Sequence, residues 1–224
     1  MTPFHVKPVP EGRLWPAWLT PALGLLENYG ALLCTQGVEQ GLLGPREVDR
    51  IWDRHLLNCT LAADPDAGLV PLGSRVADVG SGAGLPGLVW AIVRPDLTLT
   101  LVEPLLRRWT FLVSAVEELG LGARVSIVRE RAEDLAGSPQ WRPVDIVTAR
   151  AVAPLNRLVG WTIPLATSTG CLIALKGQSA GAEVADAKAA CAALGVVSCE
   201  VEVLQASYTP ESTTVVIARR GAAE

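Results

Sequence analysis

The sequence predicts an α/β fold with a seven-stranded, mostly parallel sheet and an N-terminal helical annex. After Pro71, short apolar runs alternate with segments of helical periodicity, which is typical of a parallel sheet covered by helices on both faces. The last two apolar runs have no helix between them, which predicts an antiparallel C-terminal hairpin at one edge. Half of the 224 residues are hydrophobic (50%), enough for one sizeable core.

Residues 1–72 are predicted to form an N-terminal tail and the annex. The tail has no apolar stretch of the kind found in a signal peptide. Apolar stripes at 23–33 and 48–61 indicate helices, and glycine and proline at 41–45 interrupt them. We expect about three helices, ending at the Asp-Pro-Asp-Ala-Gly segment 64–68.

Residues 73–224 are predicted to carry the sheet, and together with the annex to form one compact unit. Strands are expected at 75–80, 98–102, 124–128, 144–148, 171–175, 196–204 and 213–218. Helices are expected at 86–93, 105–119, 154–165 and 182–194. This order is the layout of a Rossmann-like class I methyltransferase domain.

Composition excludes several classes of protein. The five cysteines are widely spaced and form no C-x-x-C pair, which argues against a disulfide framework or a metal site and favours a reducing compartment. No apolar run reaches the roughly 18 residues of a membrane span, so we expect a cytoplasmic protein without membrane contact. The net charge of −4 is unusual for a nucleic-acid binder, although basic clusters such as Arg107-Arg108 exist.

The segment Asp78-Val-Gly-Ser-Gly-Ala-Gly-Leu-Pro-Gly87 lies between a predicted strand and a predicted helix. Glycines at this position allow a tight turn and let backbone N–H groups approach a ligand at the carboxyl edge of the sheet. We therefore expect Gly80, Gly82 and Gly84 to bind a nucleotide cofactor. The spacing Gly82-x-Gly84-x-x-Gly87 also matches the dinucleotide fingerprint, so the glycines alone leave the cofactor open.

Acidic residues near the turn favour S-adenosyl-L-methionine. Asp78 ends the first strand, where its carboxylate suits a methionine ammonium group better than a pyrophosphate. Glu103 ends the second strand and suits ribose hydroxyls with either cofactor. Ala132 and Glu133 follow the third strand, where their backbone and carboxylate suit an adenine ring. A dehydrogenase would also need a proton donor, and both histidines precede the turn.

Two basic residues are candidates for holding the methyl acceptor. Arg150 and Lys176 follow the fourth and fifth predicted strands, so both should face one cleft, where they suit a phosphate, the cofactor carboxylate or guanine O6. Residues 148–154 lack the Asn-Pro-Pro-aromatic motif for exocyclic amines, and no Pro-Cys pair is present. Guanine N7 needs alignment and no general base, so these two residues would act by positioning. A small-molecule acceptor and a non-catalytic nucleotide- or RNA-binding module remain open.

Several motifs together resemble the glucose-inhibited division protein B family. They are Arg54-His-Leu-Leu-Asn58, the glycine turn 78–87, Arg131-Ala-Glu133, Ala149-Arg-Ala-Val-Ala153 and Ala174-Leu-Lys-Gly177. The resemblance implies an enzyme that methylates N7 of a guanine in 16S rRNA, and we expect a monomer that binds this RNA or the small ribosomal subunit. It implies cofactor contacts at Gly80, Leu85, Glu103, Ala132, Glu133 and Arg150, with Lys176 near the RNA or the acceptor base.

Two segments depart from the family pattern. The usual Asn-Leu-Thr is Gly41-Leu42-Leu43 here, and the basic residue that often precedes the last strand is missing near Ser212-Thr213. Neither departure affects the glycine turn.

Overall fold

A computed structural model describes residues 8–221. The strands are β1 Arg75–Val79, β2 Thr98–Val102, β3 Val125–Val128, β4 Val144–Arg150, β5 Ala166–Lys176, β6 Val196–Leu204 and β7 Thr213–Arg220. The α-helices are α1 Leu23–Leu32, α2 Asn58–Ala63, α3 Gly87–Val93, α4 Leu106–Glu118, α5 Ala132–Leu135, α6 Leu155–Thr162 and α7 Ala180–Ala193.

All seven strands form one sheet in the order β3-β2-β1-β4-β5-β7-β6. Strands β1 to β5 pair in parallel, and β7 runs antiparallel to both of its neighbours, β5 and β6. The predicted fold class, with its antiparallel C-terminal hairpin, is confirmed. The strand order reverses between β1 and β4, which is where open α/β sheets bind their ligands.

Alternating side chains of the sheet pack into two cores, one on each face. In β4, Ile146 belongs to the core formed with the annex, α3 and α4. Val147 and Ala149, which lie one and three residues further along, belong to the core formed with α5, α6 and α7. This period of two is expected for strands that are covered on both sides.

The sequence prediction was wrong about several element boundaries. Strand β5 begins at Ala166 rather than 171, and β4 continues to Arg150 rather than ending at 148. Both extensions contain polar residues, so an apolar run does not mark them. They belong to the strands because their backbones pair with a neighbouring strand. Helix α5 was not predicted, since four residues are too few to show helical periodicity.

The annex consists of two continuous helical segments, 20–39 and 45–63, and a short turn at Pro65–Ala67. Each segment contains a π-helical turn, at Leu33–Gly37 and at Ile51–Leu57. The expected helical annex is therefore present, although its helices are two long segments rather than about three separate ones.

Arg94, at the end of α3, joins the annex to the sheet. Its guanidinium donates to the backbone carbonyl oxygens of Ala63, Val70 and Pro71 at 3.1–3.3 Å. It also makes two hydrogen bonds of 2.8 Å with Asp96, and these lower the pKa of the Asp96 carboxyl to about 2. Arg94 is only 3% exposed, so its removal would leave several buried acceptors without a donor.

We expect Arg94→Met to lower the free energy of unfolding by about 3 kcal/mol, because the carbonyl groups and Asp96 lose a buried partner. Urea unfolding measures this loss. Arg75→Met is the matched control, since the Arg75 side chain is half exposed and lies 3.8 Å from Asp145; its effect should stay within about 0.5 kcal/mol. Equal effects of the two substitutions would contradict the joining role of Arg94.

Candidate active site

The loop after β1 depends on glycine at three positions with positive φ, namely Gly80 (+68°), Gly82 (+58°) and Gly84 (+97°). A Cβ atom at Gly80 would lie 2.7 Å from Val152 Cγ2, and one at Gly84 would lie 2.5 Å from Leu88 Cδ1. A Cβ atom at Gly82 would lie 3.8 Å from its nearest neighbour, Gly80 O, so only the backbone conformation requires glycine there. The loop therefore exposes its backbone at Gly82 while it is tightly packed on either side.

Asp78 lies beneath the glycine loop and is fully buried. Its Oδ2 accepts a hydrogen bond from Gly87 N at 3.1 Å, and its Oδ1 is buried without a hydrogen-bond partner in the described structure. Burial raises the pKa of the Asp78 carboxyl to about 7, and the nearby charge of Glu103 adds to the increase. An unsatisfied buried acceptor fits the proposed approach of an ammonium group, which would supply the missing donor.

Glu103 is also buried, at 1% exposure, but both of its carboxylate oxygens already accept hydrogen bonds from the backbone. Gly82 N donates to Oε2 and Leu105 N donates to Oε1, each at 2.9 Å. In this structure Glu103 therefore fastens the glycine loop to the end of β2. A ribose hydroxyl would have to share or replace the contact with Gly82.

Two cavities meet at Gly80. The small cavity, of about 120 Å³, is bordered by Ala132 and Glu133 from the start of α5 and by Trp161 from α6. The glycine-loop cavity, of about 270 Å³, is bordered by residues 80–83, Leu85 and Arg150. Of the predicted cofactor residues, the two cavities bring together Gly80, Gly82, Leu85, Ala132, Glu133 and Arg150, whereas Asp78, Gly84 and Glu103 do not border them. The backbone of the loop, the unpaired and buried Oδ1 of Asp78 beneath it and a narrow cavity beside Glu133 suit the amino-acid and adenosine parts of S-adenosylmethionine.

The annex supplies part of the glycine-loop cavity. Leu42, Leu43 and His55 border it, so the departure from the family pattern at 41–43, which was expected to leave the glycine turn unaffected, lies beside that turn. Tyr29 also donates to Ala83 O at 2.7 Å, which fixes the loop from the annex side. Sequence reasoning did not assign Tyr29 or Trp161 to the site, because their spacing is that of ordinary core residues.

Arg150 is held by the annex. Its Nη1 donates to Cys59 Sγ at 3.1 Å, and its Nη2 donates to Arg54 O at 3.2 Å and lies 3.4 Å from His55 Nδ1. The next residue, Ala151, has a φ of +55°, the only positive φ at a non-glycine position within 8–221. Such a conformation costs on the order of 1–2 kcal/mol, and it turns the chain sharply where β4 ends.

Lys176 borders a large cavity of about 730 Å³ together with Arg150, as the predicted shared cleft requires. Its Nζ donates to Ala153 O and to Glu183 Oε2, each at 2.7 Å, and its side chain is only 9% exposed. Glu183 also accepts from Leu155 N at 2.9 Å. Lys176 therefore anchors the loop between β4 and α6, and its charge is balanced by Glu183.

Burial alone would raise the pKa of Glu183, but hydrogen bonds from Lys176 and Ser179 lower it. The carboxylate is therefore charged at neutral pH. Sequence reasoning missed Glu183. The helix that contains it has a polar face, and nothing in the local sequence indicates that this carboxylate faces the end of β5.

Within residues 8–221, no group of three or more His, Cys, Asp or Glu side chains is placed to hold a metal ion. Over the same range, none of the helices combines the length and the apolar character that a bilayer crossing requires.

A seven-stranded sheet with this hairpin, and a glycine loop at the point where its strand order reverses, defines the class of Rossmann-like methyltransferases. Residues 23–212 match the profile of a single family, described as rRNA small subunit methyltransferase G. The chain belongs to this family.

Two relatives illustrate the match. The ribosomal RNA small subunit methyltransferase G of Salinispora tropica is 55% identical over 197 residues, which cover 87% of this chain and 80% of that protein. The protein of the same name from Mycolicibacterium vanbaalenii is 44% identical over 220 residues, which cover 98% and 93%. The predicted family and the predicted class of enzyme, a methyltransferase, are confirmed.

Solved structures with low sequence identity share the fold. A SAM-dependent O-methyltransferase from Thermotoga maritima matches with a TM-score of 0.55 and 15% identity, covering 80% of this chain and 71% of that one. An m1A22 tRNA methyltransferase from B. subtilis matches with a TM-score of 0.53 and 16% identity, covering 75% and 66%. At these identities the likeness establishes the Rossmann-like methyltransferase architecture alone.

We expect the contribution of Asp78 to the stability of the protein without ligand to fall as pH rises from about 4 to about 7, because over this range folded Asp78 keeps a proton that the unfolded chain releases. Asp78→Asn carries no such proton. The variant should therefore match wild type near pH 4 and be more stable by roughly 2–4 kcal/mol at pH 8.

Urea unfolding at several pH values tests this expectation. Asp134→Asn, at an exposed position, is the control and should give a curve parallel to that of wild type. A parallel curve for Asp78→Asn as well would show that burial does not raise the Asp78 pKa.

Proposed function

We propose that the protein transfers a methyl group from S-adenosyl-L-methionine to N7 of a guanine in 16S rRNA of the small ribosomal subunit. The observation that carries the proposal is the position of Arg150, which borders both the glycine-loop cavity and the large cavity. A cofactor bound along the glycine loop and a base in the large cavity would therefore meet beside one cation. Membership of the rRNA small subunit methyltransferase G family supports an RNA substrate.

The cofactor would be held by residues of the glycine loop and its surroundings. The backbone of Gly80, Gly82 and Gly84 and the side chain of Leu85 would surround its methionine part, and the unpaired Oδ1 of Asp78, buried beneath the loop, would accept from its ammonium group. Glu103 would face the ribose, and Ala132 and Glu133 would border the adenine. When bound, this cofactor supplies a methyl group on a positively charged sulfur, which makes that carbon electrophilic.

The protein would contribute alignment rather than acid–base chemistry. Guanine N7 carries a free lone pair at neutral pH, so an in-line attack requires correct placement and no proton removal. Arg150 would bind the cofactor carboxylate, a phosphate or guanine O6 through charge-assisted hydrogen bonds. Lys176 would fix the loop at residues 151–154, which forms a wall of the large cavity.

We propose that residues 1–72, the tail and annex, form one compact unit with residues 73–224, the S-adenosylmethionine-binding domain. The core that contains Leu26 and Leu56 of the annex also contains Val76 and Ile173 of the sheet, which supports this description. We propose that this unit acts as a monomer. Its proposed substrate is a cytoplasmic particle.

The decisive assay combines the protein, methyl-labelled S-adenosylmethionine and small subunits from a strain that lacks this gene. Label in 7-methylguanosine of 16S rRNA, and its absence with subunits from the parent strain, would support both the reaction and the substrate. Cofactor binding without labelled RNA would instead favour a small-molecule acceptor or a non-catalytic binding module.

We expect Gly82→Asp to weaken S-adenosylmethionine binding at least about 100-fold, because it places a carboxylate next to Glu103 where the cofactor must approach. Calorimetry measures the affinity. Gly120→Asp is the matched control, since Gly120 has a similar φ of +67° and nothing within 4 Å of a Cβ. Unchanged affinity in Gly82→Asp would contradict the assigned cofactor position.

We expect Lys176→Ala to change cofactor affinity by less than about threefold and to slow methyl transfer by about tenfold or more, because the loop at 151–154 loses its anchor. Single-turnover assays on small subunits measure the transfer. Lys188→Ala removes an exposed lysine from the same helix as Glu183 and should behave as wild type. Normal transfer by Lys176→Ala would place Lys176 outside the reaction machinery.

A further inference from the structure

His55 lies between a carboxylate and the guanidinium of Arg150. Its Nε2 is 2.7 Å from Glu47 Oε2, and its Nδ1 is 3.4 Å from Arg150 Nη2. A guanidinium only donates hydrogen bonds, so Nδ1 must accept. The proton of the neutral ring is then on Nε2, where it donates to Glu47. Only this neutral tautomer satisfies both contacts.

The same helical segment holds the rest of the Arg150 head group. Among the contacts within residues 8–221, one Nη1 donor bonds Cys59 Sγ, and the two Nη2 donors face Arg54 O and His55 Nδ1. The Nε–H and one Nη1–H remain for ligands. None of these partners is a carboxylate, so the positive charge of Arg150 is oriented without being neutralised.

We propose that Glu47 and His55 are positioning residues that orient Arg150 at the junction of the glycine-loop cavity and the large cavity, and that protonation of His55 breaks this arrangement. The inference rests on the proposed function and deepens it, because it identifies the residues that orient the Arg150 guanidinium between the two cavities. Glu47 acts through His55, and His55 acts through Arg150.

The charges around His55 determine in which direction pH acts. Burial lowers the pKa of His55 below its usual 6.5, the hydrogen bond that His55 donates to Glu47 and the charge of that carboxylate oppose this shift, and Arg150 and Arg54 add to the lowering. Arg108 of α4 borders the glycine-loop cavity, as His55 does. Protonated His55 would present an N–H to the guanidinium at 3.4 Å, so an acceptor would become a second cation. The arrangement is therefore intact at neutral pH and lost as pH falls through the His55 pKa.

The chain contains two histidines, so spectra of ¹⁵N-histidine-labelled protein resolve His55, and His5→Gln assigns its signal. We expect the Nε2–H tautomer and a titration midpoint below 6.5. Arg150→Met should raise the midpoint, and Glu47→Gln should lower it. Glu118→Gln, which removes an exposed carboxylate of α4, is the control and should leave it in place. An Nδ1–H tautomer, or a midpoint that neither variant moves, would overturn the proposal.

Turnover at saturating S-adenosylmethionine, measured on small subunits against pH, tests the consequence. Wild-type kcat should fall on the acid side with the His55 midpoint. Glu47→Gln should move that limb to lower pH, so the ratio of variant to wild-type turnover should rise as pH falls through the wild-type midpoint. His55→Asn keeps an acceptor oxygen but does not titrate, so its profile should lose this limb.

Cofactor affinity measured in parallel reports the titrations that act on binding, including that of Asp78, whereas kcat at saturating cofactor reports the effect of His55 on the bound complex. An acid limb that is unchanged in both Glu47→Gln and His55→Asn would overturn the positioning role. Wild-type protein that methylates no RNA at any pH would instead overturn the proposed function, and the spectra would still decide whether His55 holds Arg150.

Discussion

The glycine loop has to be held in a conformation that its own sequence does not enforce, since glycine is the residue with the greatest backbone freedom. Different parts of the chain supply the restraints. Val102 and Glu103 at the end of β2 bond the loop backbone, Tyr29 of the annex bonds Ala83, and Val152 fills the space beside Gly80. The conformation of the glycine loop therefore depends on the sheet, the annex and the loop after β4 together.

The annex is part of the site rather than an appendage to it. The contacts of the Arg150 head group come from the segment 51–63, and residues 42–43 of the preceding turn border the glycine-loop cavity. Arg94 in turn joins the end of this segment to the sheet. Arg150, which borders two cavities, is thus held by helices of the annex, which are not part of the Rossmann-like sheet domain.

Local electrostatics explain how an acidic protein, with a net charge of −4, suits an RNA substrate. Arg150 is surrounded by a thiol, a carbonyl and a neutral imidazole, so its charge is available to an anion. Lys176 is equally close to the large cavity, yet Glu183 balances its charge. The two basic residues therefore differ in their surroundings, since Arg150 has neutral partners and Lys176 is paired with a carboxylate and holds a loop, although both end parallel strands.

The sequence by itself determined the α/β class, the antiparallel hairpin, the glycine loop and the shared cleft of Arg150 and Lys176, because these depend on local periodicity and on strands ending at one edge. It also identified the family. Only the tertiary structure decided that Glu103 is occupied by the loop, that Glu183 pairs with Lys176 and that His55 faces Arg150. His55 and Arg150 are 95 residues apart in the chain, and pairing over such a distance is fixed by packing, which leaves no periodic signal in the sequence.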